Sequence, residues 1–241
     1  MPNDDTVIWI SGASSGIGAG LARRQPFAGA RIVNLDITAA DGLDNVLFDL
    51  TQPATWPAVQ QHFAQELQRP QLRRAYFLHC AYAPVGKGLV TVAAQQDYER
   101  SLIANLAGSL AIAASFVRQV RPEQDAGLLL MTSGAAKAPL LGYSSYGASK
   151  AAIEQWARVV HAEMAHRGWG PWVLALRPGL VRTATARAAS ELPAELFPLA
   201  EAMRRDFDRR GEDVDTVAER IWNSLPPEPG QHFIDLAARP A

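Results

Sequence analysis

Polar and apolar positions alternate along this chain in two rhythms. Short, almost wholly apolar runs are separated by longer stretches in which apolar residues return every three or four positions. The first run is Val7–Ile10, followed by a glycine-rich turn and a helix from about Ile17 that Pro26 should end early. Arg31–Leu35 is the next strand, closing at Asp36, and Val46–Phe48 a third. Ala54–Leu67 reads as helix, Ala75–His79 as the fourth strand, and a long helical stretch runs from about Ala94 to Val120. Leu128–Met131, a helix over Ser145–His166 and Trp172–Leu176 come next. Helical patterns near 195–208 and 213–224 precede a last strand at His232–Leu236.

Repeated alternation of strand and helix predicts an α/β fold, a doubly wound parallel sheet with helices on both faces. Strands covered on both sides should lack polar residues, as Val7–Ile10 and Leu128–Met131 do. No repeat, low-complexity tract or linker divides the chain, so residues 1–241 read as one domain. The stretch Ala184–Gly211 is rich in Ala, Arg and Glu and has no strand pattern; it suits a cover over a site.

Composition narrows the function more than the fold. With 241 residues and 48% hydrophobic content, the chain can bury a large core without a disulfide or metal staple. Its formal net charge is -1 with no basic face, which argues against nucleic acid or an anionic membrane as partner. Leu102–Val117 is apolar, but Asn105, Ser109 and Ser115 interrupt it, as in a buried amphipathic helix and not a membrane span. Cys80 is the single cysteine, and Met1–Thr6 holds Asp4 and Asp5 instead of a cationic apolar leader. Both features predict a cytoplasmic protein. His79 and Cys80 lack further ligands nearby, so no metal is expected.

Ser11-Gly12-Ala13-Ser14-Ser15-Gly16-Ile17-Gly18 lies between the first strand and the first helix. Glycines there let the backbone turn sharply and approach a pyrophosphate, which the free N–H groups of the helix start then bind. Gly12, Ser14, Ser15, Gly16, Ile17 and Gly18 are therefore candidate cofactor contacts; the alternative is a tight turn with no ligand. Asp36 falls where a carboxylate would accept the ribose hydroxyls and repel a 2′-phosphate, although a strand-end aspartate would look the same. Asp49, with Leu50 beside it, is a candidate for the adenine side or, equally, a turn residue.

Tyr146-Gly147-Ala148-Ser149-Lys150 sets a phenol and an ammonium four residues apart, on one face of a helix. A free phenol has a pKa near 10, and a neighbouring cation favours its ionised form. Alone, that spacing also fits a helix-start tyrosine with an exposed lysine. Ser133 follows the fifth strand and so points into the crevice where such sheets gather their functional groups. Asn105 lies inside an apolar helix and must find partners, from backbone or from water beneath Lys150.

Together these residues resemble the short-chain dehydrogenase/reductase family. The matching segments are Ser11–Gly18, Asn105, Ser133, Tyr146–Lys150 and Arg177-Pro178-Gly179-Leu180-Val181-Arg182-Thr183, in the family's order and across nearly the whole chain. The resemblance implies a Rossmann-like sheet of about seven strands. It also implies an Asn–Ser–Tyr–Lys set at Asn105, Ser133, Tyr146 and Lys150, with Tyr146 as acid/base. Lys150 and Asn105 would pass the proton onward through water, and Lys150 with Tyr146 would also meet the nicotinamide ribose. Ala81, Pro178, Gly179, Val181 and Thr183 would border the cofactor. The implied partner is a small alcohol or carbonyl compound, and the chain would pair into a homodimer or homotetramer through its two long helices. Phe116, Trp156 and Val160 are candidates for that interface or for the core.

One departure stands out. Where the family has Asn-Asn-Ala-Gly, this chain has His79-Cys80-Ala81-Tyr82, losing a side chain that ties strands together and gaining a ring beside the cofactor. That ring is expected to turn toward the substrate. With Ser133 and Tyr146, the expected substrate contacts are Tyr82, Leu141, Tyr143 and Leu180, an apolar wall fitting a bulky or aromatic compound. Lys137 and Arg182 are the nearby cations the segments suggest. Pro84-Val85-Gly86 resembles the sepiapterin and benzil reductase neighbourhood of the family. Asp36, with no basic residue at Ser15, favours NAD over NADP. Two alternatives stay open: an NADP-dependent carbonyl reductase, and a dinucleotide sensor without catalysis on the same fold.

Overall fold

The computed structural model describes residues 5–237. Seven strands form one wholly parallel sheet in the order β3-β2-β1-β4-β5-β6-β7. They are β1 (Thr6–Ser11), β2 (Arg31–Asp36), β3 (Asp44–Leu47), β4 (Arg74–His79), β5 (Asp125–Met131), β6 (Trp172–Arg177) and β7 (Phe233–Asp235). The order reverses between β1 and β4, opening a crevice at the strand carboxyl ends, where doubly wound sheets bind their ligands. The predicted fold class holds. β3 starts two residues before the apolar run, because Asp44 and Asn45 pair with Val33 and Asn34 at an exposed edge, where Asn34 Nδ2 also donates to Asn45 Oδ1 at 2.9 Å.

Both faces of the sheet are covered, as apolar strands require. On one face Trp9, Phe63, Phe77 and Phe116 pack edge to face or tilted, with ring centroids 5.2–5.9 Å apart. The helices there are α2 (Trp56–Leu67), α4 (Ser109–Gln119) and α5 (Ser144–Arg167). On the other face Ile8, Ile10, Leu129, Leu174 and Leu176 meet α1 (Gly16–Arg24) and α8 (Val214–Asn223). α1 ends just before Pro26, as anticipated.

The long helix expected over 94–120 is not uniform. α3 (Gln95–Leu102) widens into a π-helical turn at Ile103–Gly108 before α4 continues. Asn105 sits inside that turn, and Ser109 Oγ donates to the Ala104 carbonyl at 3.3 Å, a five-residue span that an α-helix would not bond. Such wide turns often mark functional sites. The segment packs on the sheet through Ile112, Ala113 and Phe116.

The segment after β6 holds α6 (Ala184–Ser190) and α7 (Ala200–Arg210), the second beginning five residues later than its pattern suggested. Its small core of Ala189, Phe197 and Ala200 is separate from the two sheet cores and rests on Tyr143. Of the residues offered for an interface, Phe116 and Val160 are buried and Trp156 packs against the same core, so they serve the fold. Val159 is the apolar side chain that α5 leaves 44% exposed.

Candidate active site

The crevice is a cleft of about 1550 Å³, above the ~300–1,000 Å³ of a typical small-ligand pocket and roomy enough for a dinucleotide and a substrate together. Its floor is the glycine loop. Gly12 has φ +79°, and a Cβ there would stand 3.2 Å from the backbone of Ala81, so loop and β4 end are in contact. A Cβ on Gly18 would reach 2.2 Å from the Gly12 carbonyl. The third glycine therefore lets α1 close on its own loop. Ser15 precedes α1 without a side-chain cap, leaving the helix N–H groups free to meet an anion.

At the adenosine end Ser14 Oγ donates to Asp36 Oδ2, and the Ile37 N–H donates to Oδ1 at 2.7 Å. Asp36 keeps lone pairs toward the cleft, which Ile37 and Thr38 also line. Asp49 is more committed: it accepts from the Thr51 N–H and Oγ1, both at 2.8 Å, and from Gln52 Nε2 at 2.9 Å. Burial would raise its pKa, but those hydrogen bonds outweigh it and hold the carboxyl below the usual range. Asp49 is thus first a turn residue; with Leu50 and Phe48 it also lines the cleft wall. The uncapped helix N–H groups and these carboxylates fit a nicotinamide dinucleotide, which Gly12, Ser14, Ser15, Gly16, Ile17, Gly18 and Asp36 would hold. Ala81, Pro178, Gly179, Val181 and Thr183 line the neighbouring wall.

The helix start of α5 brings Tyr146 and Lys150 to the cleft, and the turn after β5 brings Ser133. Burial pushes the Tyr146 phenol above its ordinary value, while a hydrogen bond with Ser133 pulls it down. Lys150 Nζ donates to the Met131 carbonyl at 2.8 Å and lies 5.6 Å from the centre of the Tyr146 ring. Burial depresses Lys150 to about 8. The four-residue spacing promised a lysine that pulls the phenol pKa down; here desolvation of both groups dominates, and the lysine is anchored to backbone.

Asn105 bonds the loop after β4 and α3. Its Oδ1 accepts from the Ala83 N–H at 2.9 Å, and its Nδ2 donates to the Ala83 carbonyl at 3.0 Å and to Ser101 Oγ at 3.3 Å. The amide thus finds the backbone partner expected for it and fixes the loop after β4.

The departure at 79–82 has a structural answer. His79 joins Ser11 Oγ through Nδ1 and Ser109 Oγ through Nε2, each at 2.8 Å, and so ties β1, β4 and α4. Ser11 Oγ also accepts from the Cys80 and Ala81 N–H groups at 3.0 Å. Burial, helped by Lys150, drops His79 to about 3, so it stays neutral and bridges two hydroxyls. Burial pushes Cys80 up to about 12, and its thiol stays protonated.

Tyr82 does face the reacting end. Its ring meets Tyr146 edge-on at 4.9 Å, and Tyr143 lies 4.9 Å from Tyr146 on another side. Leu180 and Tyr143 line the cleft. Leu140, expected beside Leu141, also lines it, whereas Leu141 does not: it is 57% exposed, because the turn at Gly142 swings the preceding residue outward. Leu199 and Met203 of the cover complete the apolar wall and carried no motif by which to find them. Of the two cations the sequence suggested, Lys137 stacks over Phe233 at 4.8 Å and neither it nor Arg182 lines the cleft; Lys87 does.

Comparison with known proteins agrees with this geometry. The family model described as short chain dehydrogenase matches residues 6–193. The chain is similar to 2,3-dihydro-2,3-dihydroxybenzoate dehydrogenase of Escherichia coli (strain K12), 26% identical over 164 residues, which are 67% of this chain and 64% of that protein. It spans less than two thirds of the length of the curated relatives it matches. Among solved structures, a short-chain dehydrogenase/reductase from Saccharomyces cerevisiae superposes with a TM-score of 0.79 over 95% of both chains at 16% identity. A short-chain dehydrogenase from Sphingobium yanoikuyae in complex with NADPH gives 0.72 at 20% identity, covering 95% of this chain and 87% of that one. Seven parallel strands, a glycine loop closed on α1 and a Ser–Tyr–Lys cluster at the switch point belong with a match over more than three quarters of the chain: this protein is a member of the short-chain dehydrogenase/reductase family.

Proposed function

We propose that this protein is an NAD(H)-dependent oxidoreductase that interconverts an apolar or aromatic alcohol with its carbonyl compound. The observation that carries the reading is the convergence of Ser133, Tyr146 and Lys150 on one end of a cleft whose other end is the glycine loop and Asp36. A bound nicotinamide dinucleotide supplies the hydride donor or acceptor. The chain's own residues do the rest. Tyr146 gives or takes the proton at Oη, Ser133 holds the substrate oxygen, and Lys150 keeps a positive charge beside the phenol. Asn105 holds the loop that carries Tyr82. The wall of Tyr82, Leu140, Tyr143, Leu180, Leu199 and Met203 supports an apolar substrate, and one relative bears the name of a dehydrogenase for a hydroxylated ring. Cys80 is a free thiol, which fits a reducing compartment such as the cytoplasm.

Tyr146→Phe tests the core of this reading. Turnover should fall at least 100-fold, within the ~10²–10⁴ that acid/base catalysis contributes, while dinucleotide binding followed by fluorescence stays near wild type. Residual activity above about a tenth of wild type would remove Tyr146 from its role.

The Asp36 carboxylate at the end of β2 supports NAD(H) over NADP(H), since it would repel a 2′-phosphate bound there. A second reading, an NADP(H)-dependent reductase, draws on the NADPH held by the Sphingobium relative. The ratio of kcat/KM for the two cofactors separates them: NAD(H) should lead, with Asp36→Ala narrowing the gap. Equal values, or a lead for NADP(H), select the second reading.

A further inference from the structure

Among the described residues Lys87 makes neither an ion pair nor a hydrogen bond, although it lines the cleft. The other cations lining the cleft are accounted for. Arg100 pairs with Asp97, Arg177 with Glu154 and Asp235, Arg210 with Asp206, and Arg220 with Glu212. Lys150 bonds the Met131 carbonyl, and Arg209 is exposed to water. Burial alone pushes the Lys87 ammonium below its ordinary range, with no carboxylate offsetting it. A partly desolvated cation lining a cleft without an anion is open to one that a ligand brings.

The position is built, not accidental. Lys87 Nζ lies 5.7 Å from the centre of the Tyr82 ring, and Lys150 Nζ lies 6.0 Å from the same ring. Tyr82 in turn rests edge-on against Tyr146. A single aromatic ring therefore separates Lys87 from the reacting end. Both neighbours of Lys87 are pinned: the Gly86 carbonyl accepts from Ser145 Oγ at 3.3 Å, and the Gly88 N–H donates to the Gly142 carbonyl at 2.9 Å. Ser145 also bonds Ser101 at 3.0 Å, so the loop is fastened to α3 and α5 together. The Tyr82 hydroxyl is itself buried with no hydrogen-bond partner. The Lys87 ammonium and the Tyr82 hydroxyl thus both lack hydrogen-bond partners among the described residues.

We infer that Lys87 is a specificity residue that binds a carboxylate on the substrate, about one ring's width from the carbonyl or alcohol that Tyr146 serves. The substrate class is then a ring-bearing keto or hydroxy acid. This rests on the oxidoreductase reading above and refines it: the pocket is apolar around the ring and cationic at its far edge. A Lys87–carboxylate contact in a partly desolvated wall is charge-assisted and discriminates strongly against the neutral analogue.

The test compares wild type, Lys87→Met and Lys87→Arg with acetophenone, 3-acetylbenzoate and 4-acetylbenzoate as ketones under saturating NADH. Wild type should prefer at least one acetylbenzoate to acetophenone. In Lys87→Met that preference, as a ratio of kcat/KM, should fall about 10- to 100-fold through KM, the range of one hydrogen bond to a charged group. Lys87→Arg should recover most of it. No preference in wild type, or the same ratio in Lys87→Met, overturns the inference while leaving the oxidoreductase reading intact. Calorimetry with benzoate gives a readout without turnover: binding to wild type that is lost in Lys87→Met supports the site. Benzoate bound by neither protein, or equally by both, overturns it. If wild type reduces no ketone yet binds benzoate through Lys87, it is the oxidoreductase reading that fails.

Discussion

At the scale of single residues, burial sets the chemistry of this site more than pairing does. Tyr146 and Lys150 share a helix face, but each is desolvated, so the phenol rises and the ammonium falls to about 8. The groups facing Lys150 from other elements do not titrate near that value, His79 lying at about 3 and Cys80 at about 12. The sign follows directly. Below about pH 8 Lys150 is charged and Tyr146 carries its proton, the state that reduction needs; above it Lys150 turns neutral. The kcat/KM for ketone reduction should therefore be level below pH 7 and decline through about pH 8. A profile flat to pH 10 would show that Lys150 keeps its charge throughout. His79 shows the opposite use of burial. Kept neutral, it offers one donor and one acceptor and satisfies two serine hydroxyls on different elements, a task a protonated ring could not perform.

At the scale of elements, the cover over the cleft is held by a core of its own. Phe197 is fully buried and meets the Tyr143 ring edge-on at 4.8 Å, and a Cβ on Gly142 would stand 2.6 Å from the Phe197 ring. Backbone bonds from the Leu89 N–H to the Leu196 carbonyl and from the Gly88 N–H to the Gly142 carbonyl close the same corner. Few residues share this cluster, so its loss should open the cover without unfolding the sheet. Phe197→Ala should raise KM about tenfold, the effect of roughly 1.4 kcal/mol of lost binding, with kcat changed less. Its global stability loss should stay below the ~3–5 kcal/mol of a buried Phe→Ala in a main core. Hydrogen exchange should speed up over residues 184–211 only. An unchanged KM, or exchange accelerated throughout the sheet, would show that the cover is part of the main core.

At the scale of the whole molecule, we propose a homodimer or homotetramer. The support is α5, which leaves Val159 exposed in a shallow, mostly apolar hollow with Ala162 between Gln155, Arg158, Glu163 and His166. Light scattering at micromolar concentration should give a mass at least twice 26.1 kDa, and Val159→Glu should reduce it. A monomer in the wild type would refute the assembly. The site lies within one chain, so each protomer should stay active after the substitution.

How much of this was legible beforehand depended on range. The inner strands were visible in the chain because a strand covered on both faces must be apolar along its length, whereas the exposed edge strand β3 was legible only from Val46 onward. The glycine loop, Asp36, Ser133, Tyr146 and Lys150 were legible because backbone conformation and helix spacing fix their types locally. Events decided between distant segments were not. The wide turn at Asn105 answers to Ala83, the histidine at 79 to Ser11 and Ser109, and the outward Leu141 to the bend at Gly142. Lys87 carried no motif; it matters because folding leaves it beside Tyr82 with no carboxylate in reach. The sequence by itself determined the alternation of strand and helix, hence the parallel sheet and its crevice, since periodicity is a property of neighbours along the chain. Only the tertiary structure decided which charges are desolvated and which are paired, since that depends on what other elements bring within a few ångströms.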